Sequence, residues 1–578
     1  MIDGSAAPAD SNDSGTADLP LASDGSEQSP ISPAHASASP AAAAPPLAAA
    51  NLETTSKTNG GFGKRTKAMR KAMVKDRSNQ VCVLFVGRGS CRFGDKCNRS
   101  HDLAKWMAEH RRDDAPGSCP LFEAYGFCRF GLTCRWGRGH VEDDGVTNKN
   151  LAAQVDAFPD ECNEVPLKVF HALRRRKLDL RRAKAAQAEV KAAAAAAETG
   201  PGEFDFPAAR AKVTGLPFDD VRKRIDFSNK LYLAPLTTVG NLPFRKVAVD
   251  MGADVTCGEM AIASSLLQGR RTEWSLLRRH KAESIFGVQI ASGYVDQFAK
   301  VCTAMRAAEL NVDFVDINAC CPLDMVVNKV MGSGLLARRK RIISLARVGA
   351  TMLDVPLTFK LRLGMDEPMV HTLLPELAAA GVAAVSIHGR TRAQRYTQQA
   401  SWDYMIETAK AADLPVIGNG DLYSYEELDA YMNQPGLTSV MVGRGALIKP
   451  WIFTELKERR HWDISSSERF DILRSFANEG LKHWGSDSQG VETTRRYMLE
   501  WLSFLYRYVP VGCLEVLPQH MALRPPAFVG RNELETLLAS DNAADWVRIT
   551  EMLLGPAPAS FTFVPKHKSN AWSTTANA

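Results

Sequence analysis

The sequence predicts an α/β protein built on a closed (β/α)8 TIM barrel. A helical domain follows the barrel, and two small Cys/His modules and a disordered tail precede it. Three observations predict this. Between residues 226 and 460, apolar runs of strand length recur eight times, separated by helix-forming segments. Polar residues and glycines gather where those runs end, which is where a barrel keeps its chemistry. Near the N-terminus, two units rich in thiols share one spacing pattern.

The chain has 578 residues, 24% charged and 45% hydrophobic, which suits a globular protein of more than one domain. Its net charge of +6 says little about nucleic acid, but the distribution says more. Residues 1–60 carry seven acids and one lysine, whereas residues 61–80 carry seven bases and one acid. The first 60 residues are mostly Ala, Ser, Pro, Asp and Gly. Such a segment cannot bury enough apolar surface to offset its ordering entropy, so 1–78 is expected to be a disordered tail with a basic end. The basic run Gly61–Lys75 reads as an arm that touches phosphates, with an import signal or a solvated linker as the alternatives. No secretory signal, arginine-rich transit peptide or membrane span is visible. A reducing setting, cytoplasm and nucleus, is expected, with no membrane partner and a monomeric state.

Residues 79–141 carry the repeat. Cys82, Cys91, Cys97 and His101 are separated by eight, five and three residues. Cys119, Cys128 and Cys134 repeat the eight and five, and His140 follows after five more. Both units contain the step Cys-Arg-Phe-Gly, at 91–94 and 128–131. Three thiolates and an imidazole make a closed tetrahedral zinc site. Units this small lack a hydrophobic core, so metal binding would carry their folding energy. The pattern resembles the three-cysteine, one-histidine zinc fingers, many of which bind single-stranded RNA. Phe93, Tyr125, Phe130 and Trp136 stand beside Arg88, Arg92, Arg129 and Arg135, which suits base stacking and phosphate contact. The alternatives are that these aromatics pack around the metal, or that the fingers bind protein.

Residues 142–225 read as a basic helical linker. Pro166 to Ala197 is rich in Ala, Leu, Arg and Lys and is expected to be helical, either as a solvated spacer or facing RNA. Gly200, Pro201 and Gly202 break it.

The barrel strands are expected near Leu231–Pro235, Asp254–Cys257, Ser284–Gln289, Phe314–Asn318, Leu357–Leu361, Ala384–His388, Pro415–Gly418 and Ser439–Val442. No G-x-G-x-x-G follows the first strand, which argues against a dinucleotide-binding open sheet. Gln289 ends the third strand, Asn318 and Cys321 follow the fourth, and Lys360 and Arg362 end the fifth. His388-Gly389-Arg390 ends the sixth. Gly418-Asn419-Gly420-Asp421 and Gly443-Arg444-Gly445 follow the last two. Glycines after strands seven and eight form the usual phosphate grip of a barrel. Cys321 is the candidate catalytic residue, against the plainer reading that Cys320 and Cys321 are buried small hydrophobes.

Residues 461–560 look helical at Arg469–His483, Val491–Tyr508 and Asn532–Leu554. Lys482, His483, Arg495, Arg496, Arg507 and Tyr508 would make a basic surface, or Leu499, Leu502 and Leu505 would pack a plain cap on the barrel. Residues 561–578 are expected to be a loose tail.

Seven stretches carry a family resemblance: LAPLTTVGNLPFR (233–245), CGEMA (257–261), NACCP (318–322), KLRLG (360–364), HGRTRAQRY (388–396), IGNGD (417–421) and VGRGAL (442–447). Together they resemble the flavin-dependent tRNA dihydrouridine synthases. With two fingers ahead of the barrel, the chain resembles the eukaryotic branch called dihydrouridine synthase 3, associated with position 47 of tRNA. The resemblance implies FMN across the barrel mouth, reloaded by NADPH. It implies Ala234, Pro235 and Leu236 against the flavin, Gln289 and Lys360 at its polar side, and His388 near its phosphate or ring edge. Asn419, Gly420, Gly443 and Arg444 would hold the phosphate, and the helical domain would grip tRNA.

Cys321 matches the family's catalytic cysteine. A second cysteine, Cys320, stands where the family usually has glycine. A hydride placed on C6 of uracil leaves charge on C5 and O4. A protonated thiol then suits delivery to C5, and Lys360, His388 or Arg390 would stabilise the charge. Messenger RNA stays open as a further substrate. A flavin barrel acting on a free pyrimidine and a non-catalytic RNA-binding protein are the competing readings.

Overall fold

A computed structural model of the chain describes residues 77–88, 90–110, 112, 114–140, 142, 160–199, 204–215, 225–521 and 523–566. The tail and basic run before Arg77, the break at Gly200–Gly202 and the chain after Lys566 lie outside the described residues.

Eight parallel strands close into a barrel: β1 Leu231–Leu233, β2 Val255–Cys257, β3 Ile285–Ala291, β4 Phe314–Ala319, β5 Leu357–Arg362, β6 Ala384–His388, β7 Val416–Asn419 and β8 Ser439–Val442. Each pairs with its neighbour in chain order, and β8 returns to β1 through Val442 opposite Leu233. Side chains alternate between the inside and outside of a barrel. The inward set at the lower end is apolar: Phe227, Tyr232, Val255, Phe314, Ala384, Ile417 and Met441 form one cluster. Two residues further along three of these strands the inward positions turn polar, at Asp316, Ser386 and Asn419, and Lys360 on β5 joins them. The period of two thus stacks a polar layer on an apolar plug at the strands' C-terminal ends.

The linker departs from the expected single helix. It forms Leu167–Arg174 and Arg181–Thr199, separated by a turn in which Arg176 takes φ 55°. A third helix, Phe206–Thr214, follows. Nor is the linker a free spacer. Ala183, Ala186 and Val190 are buried against the barrel helices Val295–Ala307 and Arg339–Met352. Arg210 is fully buried and donates to Thr351 O, Leu353 O and Asp354 Oδ1 at 3.3, 2.6 and 2.7 Å. Arg174–Lys177, Arg181 and Lys184 stay exposed on the outer face.

The C-terminal cap is helical. Ser466–Trp484 and Ser488–Leu505 pack against each other and on the barrel, with Glu533–Leu538 and Ala543–Leu554 behind them. Leu499, Leu502 and Leu505 face inward as the cap reading expects. The expected basic surface is only partly present: Arg496 is exposed, Lys482 and His483 are half-buried, and the other three residues are interior. Arg495 is fully buried, donating to Thr550 Oγ1 at 2.8 Å and Gly555 O at 2.7 Å. Tyr508 is buried, and Arg507 donates to Met521 O and Leu523 O. Lys482 pairs with Glu479 and His483 with Glu161. Among the described residues no helix is long and apolar enough to cross a membrane.

Candidate active site and metal centres

The polar layer of the barrel opens into a cavity of about 2520 Å³, well above the size of ordinary small-molecule sites. One wall is the barrel mouth. The other comes from the cap, with Tyr506, Arg507, Arg524, Phe528, Arg548 and Met552. Cys321 and all ten residues assigned to the cofactor line this one space: Ala234, Pro235, Leu236, Gln289, Lys360, His388, Asn419, Gly420, Gly443 and Arg444.

Strand register explains the convergence. Lys360 on β5 stands opposite Asn318 on β4, and His388 on β6 opposite Asn419 on β7. Lys360 Nζ donates to Asn419 Oδ1 at 2.7 Å, and Asn419 Nδ2 donates to Met441 O at 2.8 Å. Lys360 Nζ also lies 3.9 Å from Cys320 Sγ. Burial and the cations Lys360, Arg362, Arg390 and Arg444 hold the His388 imidazole well below its usual range. It is therefore neutral. Arg390 can only donate, and its Nη1 lies 3.5 Å from His388 Nε2, so the ring proton belongs on Nδ1. That buried Nδ1 has no partner, which leaves a donor ready for an acceptor atom of a ligand.

The Cys321 loop is clamped on both sides. Asn318 Oδ1 accepts the N–H groups of Cys320 and Cys321 at 3.2 and 3.0 Å. On the other side, Cys321 O accepts from Ser333 N and Ser333 Oγ, each at 3.0 Å. Gly332 makes this approach feasible: its φ is +57°, and a Cβ there would stand 2.6 Å from Cys321 O. Cys321 packs against the apolar cluster of Ala291, Val326 and Met331, as do Met260 and Ile262. Burial pushes its thiol up from the ordinary value, so it is protonated at neutral pH.

Sequence reasoning named Asp421, Arg362, Arg390 and Arg444 without their contacts, and it missed Asp316. Asp421 ties Arg390 to Arg444, the latter at 2.7 Å. Arg444 lies 4.3 Å from the centre of the Tyr396 ring, with Arg390 and Arg362 at 5.5 and 5.9 Å. Arg362 donates to Cys320 O and Thr391 O at 2.9 and 2.7 Å. Asp316 lies beneath the site, its carboxyl raised to about 6 chiefly by burial. Its place two residues before Asn318 on one strand was a usable signal. Tyr396 closes the stretch 388–396 that carries the family resemblance, but nothing in the sequence showed that three arginines gather at its ring.

The two Cys/His sets also assemble. In each, the candidate ligand atoms lie within 4.8 Å of one another. The Cys119 and Cys134 sulfurs are 3.7 Å apart, close to the edge of a tetrahedron with Zn–S bonds of about 2.3 Å. His101 Nε2 is buried with no hydrogen-bond partner, as fits a ligand atom. Phe85 stacks on His101 at 4.6 Å and Phe122 on His140 at 5.3 Å, orienting both rings.

The expected RNA-facing aromatics divide. Phe93 is 52% exposed with Arg92 over its ring at 4.8 Å. Tyr125 instead donates to Asp160 at 2.6 Å, and buried Trp136 donates to Pro116 O at 2.7 Å. Arg135 is buried against Asp114. The side chain of Arg88 lies outside the described residues.

The dihydrouridine synthase (Dus) family model matches residues 232–501. A human protein named tRNA-dihydrouridine(47) synthase [NAD(P)(+)]-like is 47% identical over 532 residues, covering 86% of this chain and 81% of that one. The chain belongs to the dihydrouridine synthase family. It is an oxidoreductase of that family, with two Cys/His clusters that resemble zinc fingers ahead of the barrel. A Coprinopsis cinerea protein named tRNA-dihydrouridine(47) synthase [NAD(P)(+)] is 37% identical over 609 residues, covering 88% of this chain and 89% of that one. A solved structure titled an old yellow enzyme homologue from Zymomonas mobilis is similar over 43% of this chain and 94% of that one, at 14% identity and a TM-score of 0.29. That likeness is too slight to bear on function.

Proposed function

We propose that the protein reduces a uridine of tRNA to 5,6-dihydrouridine, at position 47 in the variable loop, and that it belongs to the dihydrouridine synthase 3 branch. The observation that carries the reading is the single cavity holding a protonated Cys321 thiol opposite Lys360, His388, Asn419 and Arg444. The names of the human and Coprinopsis relatives support the substrate.

The residues present fit FMN. At Gly443 an added Cβ would meet only Ala234 Cβ at 3.9 Å and Asn419 Nδ2 at 4.0 Å, so the backbone there faces open space. His388 Nδ1 and the Arg444 guanidinium supply donors for a phosphate. Ala234, Pro235 and Leu236 give an apolar edge for a ring system, and Gln289 and Lys360 would bond its polar side. When bound, FMN recharged by NADPH supplies a hydride for C6 of the uracil.

The chain's own residues do the rest. Cys321 holds the proton for C5, because burial keeps the thiol protonated. Lys360 stands 3.9 Å from Cys320 Sγ, close enough to the loop to stabilise charge growing on O4. The cap wall of the cavity gives room for a base turned out of its stack. The Cys/His sets would hold zinc.

The test is dihydrouridine mapped at single-nucleotide resolution in tRNA incubated with the protein, FMN and NADPH. Cys321→Ala should keep FMN and its reduction by NADPH, while product formation falls by about 10²-fold or more. Full activity in that variant would remove Cys321 as the acid. Turnover of free uridine as fast as tRNA would favour the small-substrate reading.

A further inference from the structure

We propose that Asp316 is a positioning residue for the Cys321 thiol, acting through the side-chain amides of Gln289 and Asn318. The inference rests on the reading of the site given above.

The three side chains form one chain of hydrogen bonds inside the barrel. Gln289 Nε2 donates to Asp316 Oδ2 at 2.8 Å, and Asn318 Nδ2 donates to Gln289 Oε1 at 2.7 Å. Asn318 Oδ1 then takes the N–H groups of Cys320 and Cys321. Gln289 and Asn318 are 1% and 6% exposed, and Asp316 is 3% exposed and does not line the cavity, so water cannot replace a partner lost at the carboxylate. Thr358 Oγ1 completes the set, donating to Asp316 Oδ1 at 2.6 Å.

The direction of this chain is determined. Backbone N–H groups can only donate, so Asn318 must turn its oxygen to the loop. Its nitrogen then faces Gln289, which must answer with its oxygen. Gln289 is left with N–H for its remaining neighbour, and that neighbour has to accept. An ionised carboxylate is the side chain that accepts and cannot donate. Amide oxygen and nitrogen are close to the same size, so packing alone would not choose between the two orientations. Asp316 chooses, from the far end of the chain. At pH 7 the group is ionised despite its burial, since its carboxyl is raised only to about 6.

The loop is the one member of the chain with open cavity on its far side. A mismatch introduced at residue 316 is relieved there, by displacing the Cys321 backbone from Asn318. A misplacement of about 1 Å at a reacting group can cost on the order of 10²-fold in rate.

Three near-isosteric variants test this: Asp316→Asn, Thr358→Val and the two combined. Asp316→Asn alone can still offer its oxygen to Gln289, because the Thr358 hydroxyl can turn and accept its N–H. In the double variant Thr358→Val removes that acceptor, so no orientation satisfies both ends of the amide: its N–H either stays buried without a partner or turns to Gln289 and reverses the chain.

Two readouts apply to the FMN-loaded protein: the rate at which tRNA reoxidises the NADPH-reduced flavin, and the rate at which Cys321 is alkylated by iodoacetamide, mapped by mass spectrometry. Each single variant should slow the tRNA step by no more than about threefold, and the double variant by about 30-fold. Flavin reduction by NADPH should stay within about threefold in all of them. Cys321 alkylation should change by more than about threefold only in the double variant.

A double variant that matches the sum of the singles in both readouts overturns the proposal. So does an equal fall in flavin reduction, which would mean general damage to the site. If the parent protein makes no dihydrouridine, the functional reading falls, and Cys321 alkylation alone still decides the relay.

Discussion

The two Cys/His clusters share a ligand set and a local turn, yet they sit in opposite surroundings. In both, the phenylalanine of the Cys-Arg-Phe-Gly step precedes a 3-10 turn, and the glycine takes a left-handed φ, +48° at Gly94 and +46° at Gly131. In both, an arginine lies over the phenylalanine ring, at 4.8 and 5.1 Å. In the first cluster only Cys82 is fully buried, and Phe93 stands in solvent. In the second all four candidate ligands are buried. There Arg135 N donates to Ser486 O at 2.9 Å, Cys128 Sγ lies 3.4 Å from Ser486 Oγ, and Phe130 fills the space above Gly485.

The connection between the two cap helices is therefore built onto the second cluster, while the first presents the same aromatic knob to the outside. Spacing determines that the Cys/His cluster assembles. The neighbouring element decides whether its aromatic face holds the protein together or is left open to solvent.

The sharpest way to break this comparison is to remove one ligand from each cluster. Cys128→Ser should lower the melting temperature by on the order of 10 °C and strip hydrogen-exchange protection from Ser466–Trp484, because metal-linked folding energy is shared with the cap there. Cys91→Ser should leave the main transition within about 2 °C of the parent. Equal shifts in calorimetry would erase the distinction.

A smaller effect is expected at the contact itself. Gly485 takes φ +119°, and an added Cβ would come within 2.4 Å of the Phe130 ring. Gly485→Ala should cost about 1–3 kcal/mol in denaturant unfolding; a neutral result would show that the second cluster floats free of the cap.

The smallest change in stability should come from Phe93→Ala, within about 0.5 kcal/mol. On the proposed reading it should still weaken tRNA binding by roughly fivefold, the lower end of a lost base–aromatic stack. Unchanged affinity in a filter-binding titration would assign the exposed face to another partner.

Much of the site was legible because its signals are local. The eight strands show as apolar runs, and the residues that end them, from Gln289 to Arg444, need only the alternation of a strand and a barrel's habit of working at one end. Asp316 obeys the same alternation as Asn318, but its role depends on which way two amides point, and that is settled by partners on β3 and β5. The buried Arg495 was not legible at all. On its own helix it reads as one more surface base, and its partners Thr550 and Gly555 lie over fifty residues away.

By itself the sequence determined the barrel, the two metal units and the polar ends of the strands. Each follows from spacing or period within a short stretch, where chain geometry alone decides which atoms share a face. Only the tertiary structure decided which cluster is exposed, that the linker packs on the barrel, and that half of the expected basic surface of the cap is interior. Those outcomes depend on contacts such as Arg135 with Ser486 and Arg210 with Leu353. The groups that meet there are far apart in the chain, and nothing near either one records the other.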